Sequence, residues 1–161
     1  MPTFSEGDPA PDFTLFTQDI DPFTLSEHRG YPVVLLFFPG AFTSVCTNEM
    51  NTVNNDLASF GVEQGVTVVG ISTDSPFVLD EYRKVNNLTF DLLSDHDAEV
   101  AAAYGAKYDY DFTPMELDRI AKRSAFVVDA EGTIRYAEVL ENAGKQPDFE
   151  AIQATVDELV G

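Results

Sequence analysis

The chain has 161 residues, 44% of them hydrophobic, with 28 Asp plus Glu against 9 Lys plus Arg and a net charge of −19. That length fits one domain, 1–161, with a core that needs no metal or disulfide staple. A surface of this sign repels phosphate backbones and anionic lipid, so nucleic-acid and membrane partners are disfavoured. The acids run from Glu6 to Glu158 rather than gathering in a tail, which reads as adaptation to high salt in preference to a docking site for a basic partner.

Residues 1–11 include Glu6 and Asp8 and no long apolar stretch, so no secretory leader is expected. Residues 13–16 and 23–25 are apolar segments flanking the polar 17–21, a pattern that predicts an N-terminal β-hairpin. Residues 33–38 are a continuous apolar run, too short to span a bilayer, as expected for a strand at the centre of a sheet covered on both faces. Pro39-Gly40 stops it. A helix follows, capped by Thr43 or Ser44 and running toward Phe60. The next elements are a strand over 66–71, a helix over 76–85 with Ser75 as cap and Pro76 at its first position, a strand over 90–93, and a short helix over 98–104 closed by Gly105.

Residues 106–122 have no clear period. Strands over 125–128 and 134–139 flank the turn 129–132 and form a closing hairpin. Phe149, Ile152, Val156 and Leu159 or Val160 then have helical spacing. Strands alternating with helices give an α/β chain, with a mixed central sheet flanked by helices and an N-terminal β-hairpin. That arrangement resembles the thioredoxin-like fold.

Ligands of open α/β sheets sit beyond the carboxyl ends of the strands. The only cysteine, Cys46, falls there, in the first turn of the helix after the first central strand. A lone cysteine excludes an intramolecular disulfide and fits a reducing, cytoplasmic compartment. Free backbone N–H groups and the positive end of the helix dipole favour an anion, and the thiolate is the nucleophilic form of cysteine. The competing reading is a small buried hydrophobe.

Around Cys46 the chain reads Pro39-Gly40-Ala41-Phe42-Thr43-Ser44-Val45-Cys46, with Glu49 three residues on. Far downstream, Arg123 opens Arg-Ser-Ala-Phe-Val-Val-Asp. Pro39, Thr43 and Cys46 reproduce the Pro-x-x-x-Thr-x-x-Cys signature of peroxiredoxins, the AhpC/TSA family. Matching segments follow the family's order along nearly the whole chain, among them Ala10-Pro11-Asp12-Phe13-Thr14-Leu15, Val69-Gly70-Ile71-Ser72-Thr73-Asp74 and Phe90-Asp91-Leu92-Leu93-Ser94-Asp95. The chain most resembles the one-cysteine alkyl hydroperoxide reductase E type, with the bacterioferritin comigratory protein type next.

The resemblance implies a thiol-dependent peroxidase that reduces hydrogen peroxide and organic hydroperoxides and needs no cofactor. Cys46 is then the nucleophile. Arg123 holds the thiolate and donates to the peroxide oxygens. The Thr43 hydroxyl orients the peroxide, unless it only caps the helix. Pro39 shields the sulfur as well as ending the strand. Glu49 orients Arg123, its alternative being a solvated helix acid. The product is a sulfenic acid. With no second cysteine to resolve it, an external thiol must regenerate Cys46: a low-molecular-weight thiol, a thioredoxin or a glutaredoxin-like protein. A homodimer is implied by the same resemblance.

Two alternatives share the fold, a redox sensor without turnover and a binding module on an inactive scaffold. Thioredoxin-type exchange is excluded, because Glu49 occupies the second position of Cys-x-x-Cys. Lys122-Arg123-Ser124 also stands where thioredoxins have a cis-proline. Metal binding fails on count, with His28, His96 and Cys46 at no ligand spacing. Asp95/Asp97 and Asp109/Asp111 read as solvated loops rather than calcium ligands. Without tryptophan, Phe38, Phe42 and Phe112 are candidates for the pocket wall or plain core. Tyr104, Tyr108, Tyr110 and Phe112 either line a surface near the aperiodic segment or anchor it.

Overall fold

The computed structural model describes residues 6–109 and 117–160. Phe112, Tyr110 and Asp111 lie outside the described residues. In chain order the elements are β1 (Thr14–Thr17), β2 (Pro22–Thr24), β3 (Val33–Phe37), α1 (Ser44–Asn54), β4 (Thr67–Ser72), α2 (Pro76–Val85), β5 (Asp91–Ser94), α3 (Glu99–Ala103), β6 (Ser124–Val128), β7 (Ile134–Val139) and α4 (Phe149–Val160). The described strands form one seven-stranded sheet in the order β2-β1-β5-β4-β3-β6-β7. β3, β4 and β5 are parallel neighbours, while β1, β2, β6 and β7 pair antiparallel. This is the mixed thioredoxin-like sheet expected from the sequence, with β1 and β2 as the N-terminal hairpin.

β3 shows why a continuous apolar run is needed at the centre. All five of its residues are buried, and successive side chains enter different cores because a strand alternates faces. Val33, Leu35 and Phe37 pack with Phe13, Val100, Tyr104 and Phe126 on one face. Val34 and Leu36 pack on the other with Met50 and Val53 of α1, Leu79 and Tyr82 of α2, and Ile152 and Val156 of α4. Gly70 of β4 makes α1 fit: a Cβ there would stand 2.9 Å from Leu92 Cδ2, 3.2 Å from Phe38 Cε1 and 3.3 Å from Met50 Sδ.

The helix expected to run to Phe60 ends at Asn54. Asp56 leaves helical geometry (φ −136°, ψ 33°), and a 3₁₀ turn over Leu57–Phe60 buries Phe60 instead. Thr43 precedes α1, but its side chain makes no capping bond. Ser75 does cap α2, accepting from Val78 N at 3.3 Å. Tyr104 is buried in the core just before the aperiodic segment and donates to Pro11 O at 2.6 Å, while Tyr108 is buried beneath Lys122, so it holds the two ends of that segment together. His28 stacks on Phe23 with ring centroids 4.3 Å apart. Asp95 is buried and accepts from Val100 N and Ala101 N, so it closes the turn into α3 rather than lying solvated. Asp97 is exposed, as expected of a solvated loop.

Candidate active site

β3 leaves the sheet through Phe38, whose N–H still donates to Ile71 O at 2.9 Å. Pro39 has no N–H to continue the ladder. The turn that follows is tied to the carboxyl end of β4: Ala41 N donates to Asp74 Oδ2 at 2.7 Å, and Ser72 Oγ donates to the same oxygen at 2.7 Å. Phe42 takes a left-handed conformation, φ 66°, a strain of the kind that clusters at functional sites. Thr43 O then accepts the first helical bond, from Thr47 N at 2.9 Å. Ser44, Val45 and Cys46 make the first turn of α1, where backbone N–H groups have no helical acceptor.

Register places the cation. β3 and β6 are antiparallel with Phe37 opposite Ser124, so Arg123 arrives at the same sheet edge as Phe38. Arg123 is 1% exposed, and so is Cys46. Arg123 Nη2 donates to Cys46 Sγ at 3.3 Å, and Nη1 donates to Glu49 Oε1 at 2.6 Å. Glu49, one turn along α1 from Cys46, is fully buried. Three of the five residues expected at the site thus meet inside the protein. Glu49 is an interior partner of Arg123, not a solvated helix acid.

The two partners respond differently to being buried. Loss of water pushes the Glu49 carboxyl up to about 7, against the pull of Arg123. For Arg123, burial acts downward, but Glu49 and Cys46 outweigh it and hold the guanidinium above its ordinary value. The ion pair is single-pronged, since Glu49 Oε2 and Arg123 Nε are buried with no hydrogen-bond partner. A single contact leaves the carboxylate under-compensated for its lost hydration.

Pro39, Thr43, Ser44, Val45, Cys46, Arg123, Ala143 and Gly144 line a cavity of about 250 Å³ over the sulfur. Thr43 is therefore at the cavity, but its hydroxyl donates to Gly40 O at 2.8 Å. Its oxygen lone pairs stay available as acceptors. Of the three phenylalanines proposed for the wall, Phe38 and Phe42 do not line this cavity, and Phe112 lies outside the described residues. Phe38 is buried and stacks with Tyr82, ring centroids 6.2 Å apart, while the exposed Phe42 meets the edge of Tyr82 at 5.1 Å. Tyr82 donates from its hydroxyl to Thr47 Oγ1 at 3.2 Å.

The wall opposite α1 comes from the connection 140–148 between β7 and α4, which sequence reading left without a role. Leu140 N donates to Arg123 O at 2.9 Å. Ala143 O accepts from Arg123 Nη2 at 3.0 Å, and Gln146 Nε2 donates to Val45 O at 3.1 Å. Two of these contacts use backbone acceptors against a side chain, which leave no residue signature. A larger cleft of about 560 Å³, from Pro11 to Tyr104 across the opposite part of the sheet, is lined without a cysteine.

The model of the AhpC/TSA family matches residues 6–137. The chain belongs to the AhpC/TSA family. It is 34% identical over 136 residues to the peroxiredoxin Bcp of Escherichia coli, spanning 84% of this chain and 86% of that one. It is 33% identical over 147 residues to a thiol peroxidase of Oceanobacillus iheyensis, spanning 91% and 84%. The crystal structure of peroxidoxin BcpB from Mycobacterium tuberculosis superposes with a TM-score of 0.82 at 30% identity, covering 97% of this chain and 98% of that one. Membership makes the chain an oxidoreductase of the thiol peroxidase kind, reducing peroxide through a cysteine. Of the two subtypes that its motifs resemble, the Escherichia coli relative and the Mycobacterium tuberculosis structure carry the name of the bacterioferritin comigratory protein type. Among the described residues no helix is long and apolar enough to cross a membrane.

Proposed function

We propose that this peroxiredoxin works by a one-cysteine mechanism centred on Cys46. The observation that carries the reading is the guanidinium of Arg123 donating to Cys46 Sγ at 3.3 Å inside the protein. A hydrogen bond from a fixed cation strengthens as its acceptor gains negative charge. Cys46 thiolate attacks the terminal oxygen of a hydroperoxide. A sulfur–oxygen bond forms as the oxygen–oxygen bond breaks, sulfur is oxidised to sulfenic acid, and the leaving alkoxide or hydroxide takes up a proton.

Arg123 stabilises charge developing on the peroxide oxygens. Thr43 Oγ1 accepts a hydrogen bond from the hydroxyl of the bound hydroperoxide, a role its own bond to Gly40 leaves open. Pro39 walls the cavity, and Glu49 fixes the angle of the guanidinium. The lone cysteine leaves regeneration to an external thiol: a small thiol, a thioredoxin or a glutaredoxin-like protein.

A homodimer through the site edge fits two exposed side chains, Phe42 and Phe77. One follows β3 and the other opens α2 after the parallel β4, so both lie at that edge. A cytoplasmic, high-salt setting fits the reduced cysteine and the net charge of −19. Sedimentation and turnover at low and high salt check both ideas.

The deciding experiment is peroxide consumption with a panel of thiol donors by wild-type protein and Cys46→Ser. Wild type should turn over many times and Cys46→Ser should consume nothing. Equal consumption by the two proteins rejects the mechanism. Wild-type consumption that stops at one equivalent with every donor leaves the redox sensor in its place.

A further inference from the structure

Cys46 is 1% exposed and lines a cavity of about 250 Å³. A hydroperoxide can enter such a space. A protein thiol or a bulky small thiol cannot bring its sulfur to Sγ unless a wall moves. One wall is the first turn of α1. The other is the connection 140–148, represented in the cavity by Ala143 and Gly144.

The connection is anchored at both ends. Leu140 N bonds to Arg123 O, Asp148 N bonds to Glu138 Oε1 at 2.9 Å, and Pro147 is buried. Between these anchors, Asn142 Oδ1 accepts from Gly144 N at 2.8 Å and Asn142 O from Lys145 N at 3.1 Å, so the segment makes its own turn. Lys122, itself largely covered, reaches the exposed Glu141 at 2.9 Å. Two bonds join the segment to the site. One is Arg123 Nη2 to Ala143 O, which involves the functional arginine itself. The other is Gln146 Nε2 to Val45 O at 3.1 Å, and Val45 immediately precedes Cys46.

We propose that Gln146 is a positioning residue that decides which thiols reach Cys46. Its bond pins the connection 140–148 against the first turn of α1 and keeps the sulfur covered. The inference rests on Cys46 being regenerated by an external thiol. In that half-reaction a thiol attacks the sulfenic sulfur, a sulfur–sulfur bond forms, the sulfur–oxygen bond breaks and water leaves. A second thiol then attacks the mixed disulfide, releasing Cys46 as thiolate and the reductant as its disulfide. Both attacks need the bulky partner's sulfur in line with Sγ, whereas peroxide attack needs only the cavity. Gln146 is exposed and outside the cavity lining, so its bond shifts the balance between covered and open forms without entering the peroxide site. A bulky reagent reacts in proportion to the open fraction.

The test compares wild type with Gln146→Ala, Gln146→Glu and Gln146→Lys. Glutamate keeps the shape but has no donor for Val45 O, and lysine restores a donor. Reduced Cys46 is labelled with a fluorescein maleimide, and its oxidation by hydrogen peroxide is followed separately by trapping the sulfenic acid. Losing one exposed neutral hydrogen bond should speed maleimide labelling about fivefold in the Ala and Glu variants. Gln146→Lys should label at close to the wild-type rate, and peroxide oxidation should change by less than about twofold across the set. Reduction of the sulfenic form by a dithiol protein should accelerate with the maleimide rate, and reduction by 2-mercaptoethanol should accelerate less. Labelling unchanged in Gln146→Glu, or labelling and peroxide oxidation rising in parallel, overturns the proposal. If wild-type protein does not react with peroxide at all, the mechanism above fails instead, while the labelling comparison still decides the role of Gln146.

Discussion

Two ion pairs of nearly equal length, one joining the start of β6 to α1 and the other within α2, have opposite surroundings. Arg123 and Glu49 meet at 2.6 Å with side chains 1% and 0% exposed, while Lys84 and Asp80 meet at 2.8 Å on the outer face of α2 with side chains 67% and 36% exposed. Distance does not separate them. Water does. It screens the pair on α2, and both residues keep their hydration whether or not they touch. The interior pair has lost that hydration, so each partner depends on the other, and the guanidinium is held 3.3 Å from Cys46 Sγ. In a chain dominated by acidic charge, the ionic contact that matters is the one most hidden from solvent.

The largest effect expected from breaking this contrast is in Arg123→Met. Removing a preorganised donor to developing charge should lower peroxidase kcat/KM by about 10²–10³-fold. Stranding Glu49 in the interior should also lower stability, by about 3–5 kcal/mol. Stopped-flow peroxide oxidation and urea unfolding read the two losses separately. The stability loss should be larger at pH 8 than at pH 6, since a neutral Glu49 needs no partner.

Glu49→Gln sharpens the comparison through pH. The Glu49 carboxyl is pushed up to about 7 from 4.5 by burial, so between these values the folded protein binds more protons than the unfolded chain. The stability contributed by this group is complete below pH 4.5 and is lost as pH rises through about 7. Relative to wild type, Glu49→Gln should therefore gain stability between pH 5 and pH 8, on the order of 2 kcal/mol. Urea midpoints of both proteins at the two pH values check it. Parallel pH profiles would show that Glu49 titrates like a surface carboxylate. The smallest effect belongs to the exposed pair: Lys84→Ala should leave the urea midpoint and turnover unchanged within error. A measurable drop would mean that exposure does not separate the two pairs.

Much of the framework was legible because its physics is local. Pro76 and Ser75 announce the start of α2, and the spacing of Phe149, Ile152 and Val156 marks α4. A continuous apolar run followed by Pro39-Gly40 marks the strand-to-helix turn that holds Cys46. The overrun of α1 has an equally local cause. Met50, Val53, Leu57 and Phe60 keep helical spacing, and a 3₁₀ turn buries Phe60 just as an α-helix would. The signal for a break was three successive small polar residues, Asn54, Asn55 and Asp56. What sequence could not show is what depends on register and backbone atoms. That Phe37 faces Ser124, which brings Arg123 to the sulfur, is set by the packed sheet. The carbonyls of Gly40, Val45 and Ala143, which hold Thr43, Gln146 and Arg123, carry no residue identity at all. Exposed Gln146 looks like any solvated side chain until the chain has folded around it.

The missing side chain of Gly70 has a mechanical consequence. Met50, whose sulfur would meet any methyl group added there, lies one turn beyond Cys46 on the same helix. A larger residue in β4 would act as a wedge under α1, tipping the helix start and with it Cys46, while Arg123 stays fixed to a different strand. The spacing between sulfur and guanidinium is thus gauged from beneath, by how closely a helix can rest on a bare stretch of backbone.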